Sequence, residues 1–190
     1  MTSGTVSYNT QHVQVGLVGA TPTFVDVPGS VDWEPTISAS PTPVKADGTT
    51  YYTAYASPDL SGDLTWIDGN SAVLGIINGG TVSSSGTAGT VIDRYEQPGV
   101  FVPTDFIISK WEPNVDRGHN PDVAGLRTTT PHTSASPASK SGGQESTGMW
   151  TASTNATPVG DDPLIIYEWM ATAPVFTAGV MPVNLTAPAS

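Results

Sequence analysis

The chain has 190 residues, six Lys and Arg against 17 Asp and Glu, a formal charge of −11 and no cysteine. That length suits one domain or at most two, and the missing cysteines exclude disulfides and thiolate metal sites. The charge argues against phosphate binding, which needs clustered cations to release counterions; Lys45, Arg94, Lys110, Arg117, Arg127 and Lys140 are scattered singly. Hydrophobic residues make up 37%, and Gly and Pro number 20 and 17, a balance that suits strands and turns better than helices. There is no apolar run long enough for a transmembrane helix, and MTSGTVSYNTQHVQVG lacks the basic start and apolar core of a signal peptide. Synthesis in the cytosol is the expectation.

The first periodic segment places Val13, Val15 and Leu17 on one parity and His12, Gln14 and Gly16 on the other, which predicts a strand. TFVDV, from Thr23 to Val27, predicts a second strand, stopped by Pro28 and Gly29. VDWEPTIS, from Val31 to Ser38, alternates but contains Pro35, which cannot donate to a ladder; an edge strand or a bulge is expected. Ala39 to Thr50 is rich in turn formers, with a hairpin signal at Asp47-Gly48, and Tyr51 to Ala56 reads as the returning strand.

The clearest signals lie between Leu60 and Gly80. Leu60, Leu64 and Trp66 share a parity, with Asp63 and Thr65 opposite, as in a half-buried strand. Asp68, Gly69, Asn70 and Ser71 then supply helix-start chemistry. Val73, Ile76 and Ile77 form one helical face, and Asn78, Gly79 and Gly80 end it. A helix of about two turns cannot stand alone, so it must dock on a sheet. The expected arrangement has it covering one open face of a sandwich and leaving the other for neighbours.

Beyond it, strands are predicted around Val91, Ile92 and Tyr95, around Phe106 to Ile108, over Leu126 to Thr130, over Pro163 to Trp169, and near Val175 to Leu185. The Ser/Thr/Gly/Pro-rich stretch at about 128–159 offers little apolar surface and reads as either an excursion with few core contacts or a floppy insertion. About eight to ten short strands, with turn signals at roughly 8–12-residue spacing and one short helix, give an all-β sandwich or barrel in a single domain.

Catalytic and metal motifs are absent or incomplete. His12, His119 and His132 have no paired spacing. Asn114 to Asp122 alternates oxygen ligands like a calcium loop, but Gly125 stands where the final carboxylate belongs. Gly69-Asn70-Ser71-Ala72-Val73 lacks the last glycine of a nucleophile elbow. The pair Asp161-Asp162 reads as solvated turn acids rather than a glycosidase pair. The five tryptophans fit core positions better than a carbohydrate groove. Asn155-Ala156-Thr157 and Asn184-Leu185-Thr186 match glycosylation sequons that need a secretion route to matter. The expectation is no enzyme, no cofactor and no metal.

The order of elements carries a resemblance. A strand with an acidic-Pro break (VDWEPTIS) leads to a turn-rich segment tipped by Ala46-Asp47-Gly48. A strand holding Leu64-Thr65-Trp66, a capped helix and a glycine-rich exit follow, and PLIIYEWMATAP supplies a late strand. This layout resembles the major tail (tail tube) proteins of long non-contractile-tailed bacteriophages, over roughly residues 20–112 and 160–180. The resemblance implies a β-sandwich flanked by a helix, six copies per ring and rings stacked into a tube. Its partners would be itself, a tape measure protein, and tail terminator and distal tail proteins. DNA would be passing cargo only, no membrane would be bound, and the place of action would be the virion tail. Another virion β-protein, such as a capsid decoration or fibre-base domain, and a carbohydrate-binding β-sandwich are the alternatives.

Overall fold

A computed structural model describes residues 12–19, 23–27, 29–46, 49–55, 57–67, 69–84, 93–115, 121–142 and 148–173. The strand expected near Val175 to Leu185 falls outside these residues, as do the Asp47-Gly48 tip and Val91 and Ile92, whereas Arg94 and Tyr95 of that last expected strand lie in the strand Asp93–Glu96. In chain order the elements are β1 (His12–Leu17), β2 (Phe24–Asp26), β3 (Ser30–Trp33), β4 (Thr36–Ser38), β5 (Pro41–Ala46), β6 (Thr49–Tyr55) and β7 (Asp59–Trp66). Then come α1 (Ser71–Asn78), β8 (Thr81–Ser84), β9 (Asp93–Glu96), β10 (Phe106–Pro113) and β11 (Gly125–Ala135). The last three are β12 (Ser139–Ser141), β13 (Met149–Ala156) and β14 (Ile166–Met170). The all-β class with one short helix holds.

Ten strands form one antiparallel sheet whose path runs β2-β1-β10-β11-β13-β7-β3. The path nearly closes on itself, because β2 runs directly on into β3. Val27 N–H still donates to Val13 O at 2.8 Å, while Gly29 O already accepts from Ile67 N–H at 3.0 Å. One chain segment therefore leaves the β1 ladder and joins the β7 ladder, which makes the first corner of a flattened barrel. β11 makes the second. Its first half pairs with β14, from Gly125↔Met170 to Thr129↔Ile166, and its end pairs with β13 at Ser134↔Asn155 and Ala135↔Thr154. Between these halves the register with β10 jumps: Ile108 faces Thr130, but Phe106 faces Thr133. Pro131 and His132 thus oppose Ile107 alone, a β-bulge of the kind that accommodates a proline inside a sheet and bends the strand.

VDWEPTIS becomes two strands. β3 and β4 both pair with β7 and are separated at Glu34–Pro35, where Pro35 breaks the ladder. Gly62 of β7 lies under the break; a Cβ there would sit 3.0 Å from Glu34 O. β5 and β6 pair as a separate two-stranded hairpin, and β8 and β9 as another against α1.

The helix follows its local code. Asn70 Oδ1 accepts from Ala72 N–H at 2.9 Å, and Gly79, at φ 67°, ends the last turn in a conformation L side chains rarely adopt. Val73, Leu74, Ile76 and Ile77 are buried. They belong to one core cluster with Val13, Val15 and Ile108 from one wall and Trp33, Leu64, Trp66 and Ala152 from the other. α1 lies against β1, β2 and β11 and against the β8–β9 pair, the docking on strands that a two-turn helix needs. Asn78 fixes its end, its Oδ1 accepting from Ala138 N–H at 2.7 Å.

The stretch at 128–159 is not a peripheral excursion: it supplies most of β11 and all of β12 and β13. Its burial comes from Thr128, Thr129, Thr130, Thr133 and Thr154 with Ala135, Ala138, Ala152 and Ala156. Thr is β-branched, and its hydroxyl can be satisfied inside the sheet. Ser109 Oγ and Thr129 Oγ1 pair at 3.2 Å across the β10–β11 ladder. Thr154 Oγ1 accepts from Trp33 Nε1–H at 3.3 Å and donates to Gly62 O at 2.5 Å.

Close packing beside β11 gives a test. A Cβ on Gly125 would lie 2.4 Å from Glu112 O and 2.6 Å from the Trp111 ring. Gly125→Ala is expected to destabilise the protein by about 1–3 kcal/mol, the usual range for overpacking, as read by a lower urea midpoint. Gly19→Ala is the control, since its Cβ meets nothing within 4 Å.

Candidate functional site

Directly opposed residues in a sheet share a face, so the registers sort β3, β4, β7, β13 and β12 into an inner and an outer surface. Leu60, Leu64, Trp66, Trp33, Ala152 and Ala156 point inward and are buried. Asp32, Thr36, Asp59, Ser61, Asp63, Ser153, Asn155, Ser139 and Ser141 lie outward and are exposed. Ser153 Oγ donates to Asp63 Oδ1 at 2.7 Å. The outer face is therefore rich in hydroxyls and carries three aspartates, with exposed Met149 opposite Ser141 at its β12–β13 end. Among those outward positions none is Lys or Arg.

Several cations are engaged elsewhere. Lys110 Nζ lies 3.2 Å from Glu34 Oε1 and 3.3 Å from Glu112 Oε1, with its side chain buried. These three residues, with Pro35, Leu126, Thr128 and Tyr167, line a groove of about 260 Å³ where the barrel walls part. Arg127 donates to Glu168 across the β11–β14 ladder. Arg94 pairs with Glu96 at 2.6 Å, and Lys140 Nζ lies 5.9 Å from the Trp150 ring centre. A buried cation with two carboxylates has little charge left to offer a polyanion.

The second feature is the β11 corner. The bulge that Pro131 imposes presents His132 between two acids. Nδ1 lies 2.8 Å from Asp105 Oδ2, and Nε2 lies 2.9 Å from Asp162 Oδ2. Asp105 ends the segment before β10, and Asp162 lies in the β13–β14 connection. Burial alone would lower the His132 pKa, but hydrogen bonds and charge from the two acids outweigh it and hold the ring above its ordinary value. Both ring nitrogens are occupied, so this histidine is not placed to take a proton from a nucleophile.

The remaining motifs read from sequence separate in space or serve structure. Gly69-Asn70-Ser71 caps α1. In the Asn114 to Asp122 stretch, Asn114 Nδ2–H donates to Val123 O at 3.0 Å, and residues 116–120, including His119, lie outside the described residues. Among the described residues no group of three or more His, Asp and Glu is gathered for a metal. Trp33, Trp66 and Trp111 are buried, Trp150 stacks on Trp66 at 6.3 Å, and Trp169 alone is half exposed, on the edge strand β14. Asp162 is not the solvated turn acid that its sequence context implies, since it is bonded to His132. Sequence carried no signal for it, since Asp105, His132 and Asp162 are far apart along the chain.

No family model matches the sequence, and no curated protein does. Five chains of solved structures are similar. One comes from the tail of an empty GTA particle with C6 symmetry, at 7% identity and a TM-score of 0.41, with 83% of this chain and 95% of that chain covered.

Proposed function

We propose that this chain is a structural, non-catalytic subunit of a bacteriophage tail tube, assembling through itself into stacked hexameric rings. The observation that supports the reading best is the outer face of β3, β4, β7, β13 and β12. It is broad, rich in hydroxyls and acidic, which is the surface a channel for DNA requires. Such a lining repels the polyanion and lets it slide, where a basic one would hold it. Six copies at −11 each give a ring of −66.

The edges of the sheet fit self-assembly. Among the described residues β14 pairs with β11 alone; it carries half-exposed Tyr167 and Trp169, and β4 and β12 lie at the other margins. Unpaired strand edges invite pairing with another chain, and joining them between subunits removes the hazard. The β5–β6 pair, which among the described residues forms no ladder with the main sheet, is suited to reach a neighbouring ring. During assembly a tape measure protein would occupy the lumen, with terminator and distal tail proteins at the ends, and the site of action would be the virion.

Negative-stain microscopy of the concentrated protein tests this. Hollow rings or tubes with a central channel are expected. Monomers at every concentration, or trimeric knobs, would overturn the proposal.

A further inference from the structure

We propose that His132 is a proton-operated latch that, when protonated, holds the β13–β14 connection against the β11 corner, and that releases it when deprotonated. The geometry requires two donors from one ring. Each carboxylate can only accept when ionised, so satisfying Asp105 and Asp162 together needs N–H on both Nδ1 and Nε2, the imidazolium form. When that ring loses one proton to water, a lone pair faces one carboxylate at hydrogen-bond distance. That contact changes from attraction to repulsion, and one acid must leave.

The charged groups facing the ring are these two acids. The other residues around it on the neighbouring elements, Thr104, Ile107, Thr133, Ser134 and Asn155, are neutral. The two acids are not held alike. Asp105 adjoins Thr104, whose hydroxyl donates to Ile76 O at 2.5 Å, and its own carbonyl accepts from Val18 N–H at 3.5 Å. The Asp162 side chain is bonded to His132, and the residues before it, from Thr157 to Asp161, are exposed. The β13–β14 connection is therefore the part that yields. It leads directly into β14, the edge strand, so the proton controls how firmly that edge is presented.

The ring's raised pKa fixes the direction. The latch is closed below the ordinary histidine value of about 6.5 and opens as pH climbs through the higher folded value. The experiment is hydrogen–deuterium exchange on the full chain at roughly pH 6 and pH 9, corrected for intrinsic exchange, which spans the histidine range. Residues 157–165 are expected to exchange several-fold faster at the higher pH, with 97–105 little changed. His132→Gln should abolish the difference. Asp162→Asn should also abolish it but stay protected at both pH values, because an amide can donate to the neutral ring's lone pair. Equal wild-type exchange at both pH values would overturn the latch. So would a pH response retained in His132→Gln, or an imidazole that titrates by NMR at or below its ordinary value.

Discussion

Ile77→Asp is expected to leave no folded protein. Ile77 is 0% exposed and belongs to the same buried cluster as Trp33, Leu64, Trp66, Val13 and Val15. An isolated carboxylate there has no cation within the cluster to pair with. It would have to stay protonated or drag water into the interior, at a cost of several kcal/mol on top of the lost apolar burial. A domain of this size holds only about 5–15 kcal/mol in total. Ile77→Ala provides the graded version: removing the same branch should cost about 2–5 kcal/mol, because a cavity remains among side chains that cannot collapse fully. Urea unfolding followed by tryptophan fluorescence reads both, since Trp33 and Trp66 are buried in the same cluster. Ile76→Asp should behave like Ile77→Asp, although Ile76 lies at the rim of the cluster with 9% exposure. A soluble, well-folded Ile76→Asp monomer that fails to assemble would show instead that this face of α1 is an interface between subunits.

The helix could be read so closely from sequence because its signals are local. Asn70 caps it, Gly79 ends it, and the face between them is set by spacing alone. β7 was legible for the same reason, its alternation being visible without knowing its partners. What the helix packs against was not legible, because that depends on how β2–β3 and β11 turn the two corners, and nothing local encodes a closed path. The Ser/Thr-rich stretch at 128–159 misled for a different reason. Its burial is carried by threonine methyls and alanines, which a count of large apolar residues overlooks. The strand expected over Leu126 to Thr130 continues through Pro131, which marks the bulge that lets β11 pair with β14 on one side of the corner and with β13 on the other. The outward acids were half legible: Asp59 and Asp63 oppose Leu60 and Leu64 in parity, but their union with Asp32 needs the β3–β7 register.

That union leads to the second large expected effect. Asp32→Lys/Asp59→Lys/Asp63→Lys should turn an inert surface into a DNA-holding one. All three side chains are exposed, so the fold should survive, with each change within about 0.5 kcal/mol of neutral. The chain's formal charge moves from −11 to −5, two for each exchange. More decisive is where the change falls, since three lysines would stand on a face that had no cation among its outward positions. Repeated around a ring, they would line the channel with the counterion-releasing groups that nucleic acid binding requires, and affinity should fall steeply with salt. Wild-type assemblies should retain no labelled duplex, whereas the variant should retain it at low salt. A control that replaces Glu96, Asp122 and Asp161 with lysine has the same net charge and also binds DNA, but on a different surface. Nuclease then separates the two: duplex held in a lumen is shielded, and duplex held outside is cut. Shielding in the first variant and digestion in the control would place Asp32, Asp59 and Asp63 on the channel wall. Equal digestion in both would put that face on the outside of the assembly and remove the main support for a tube.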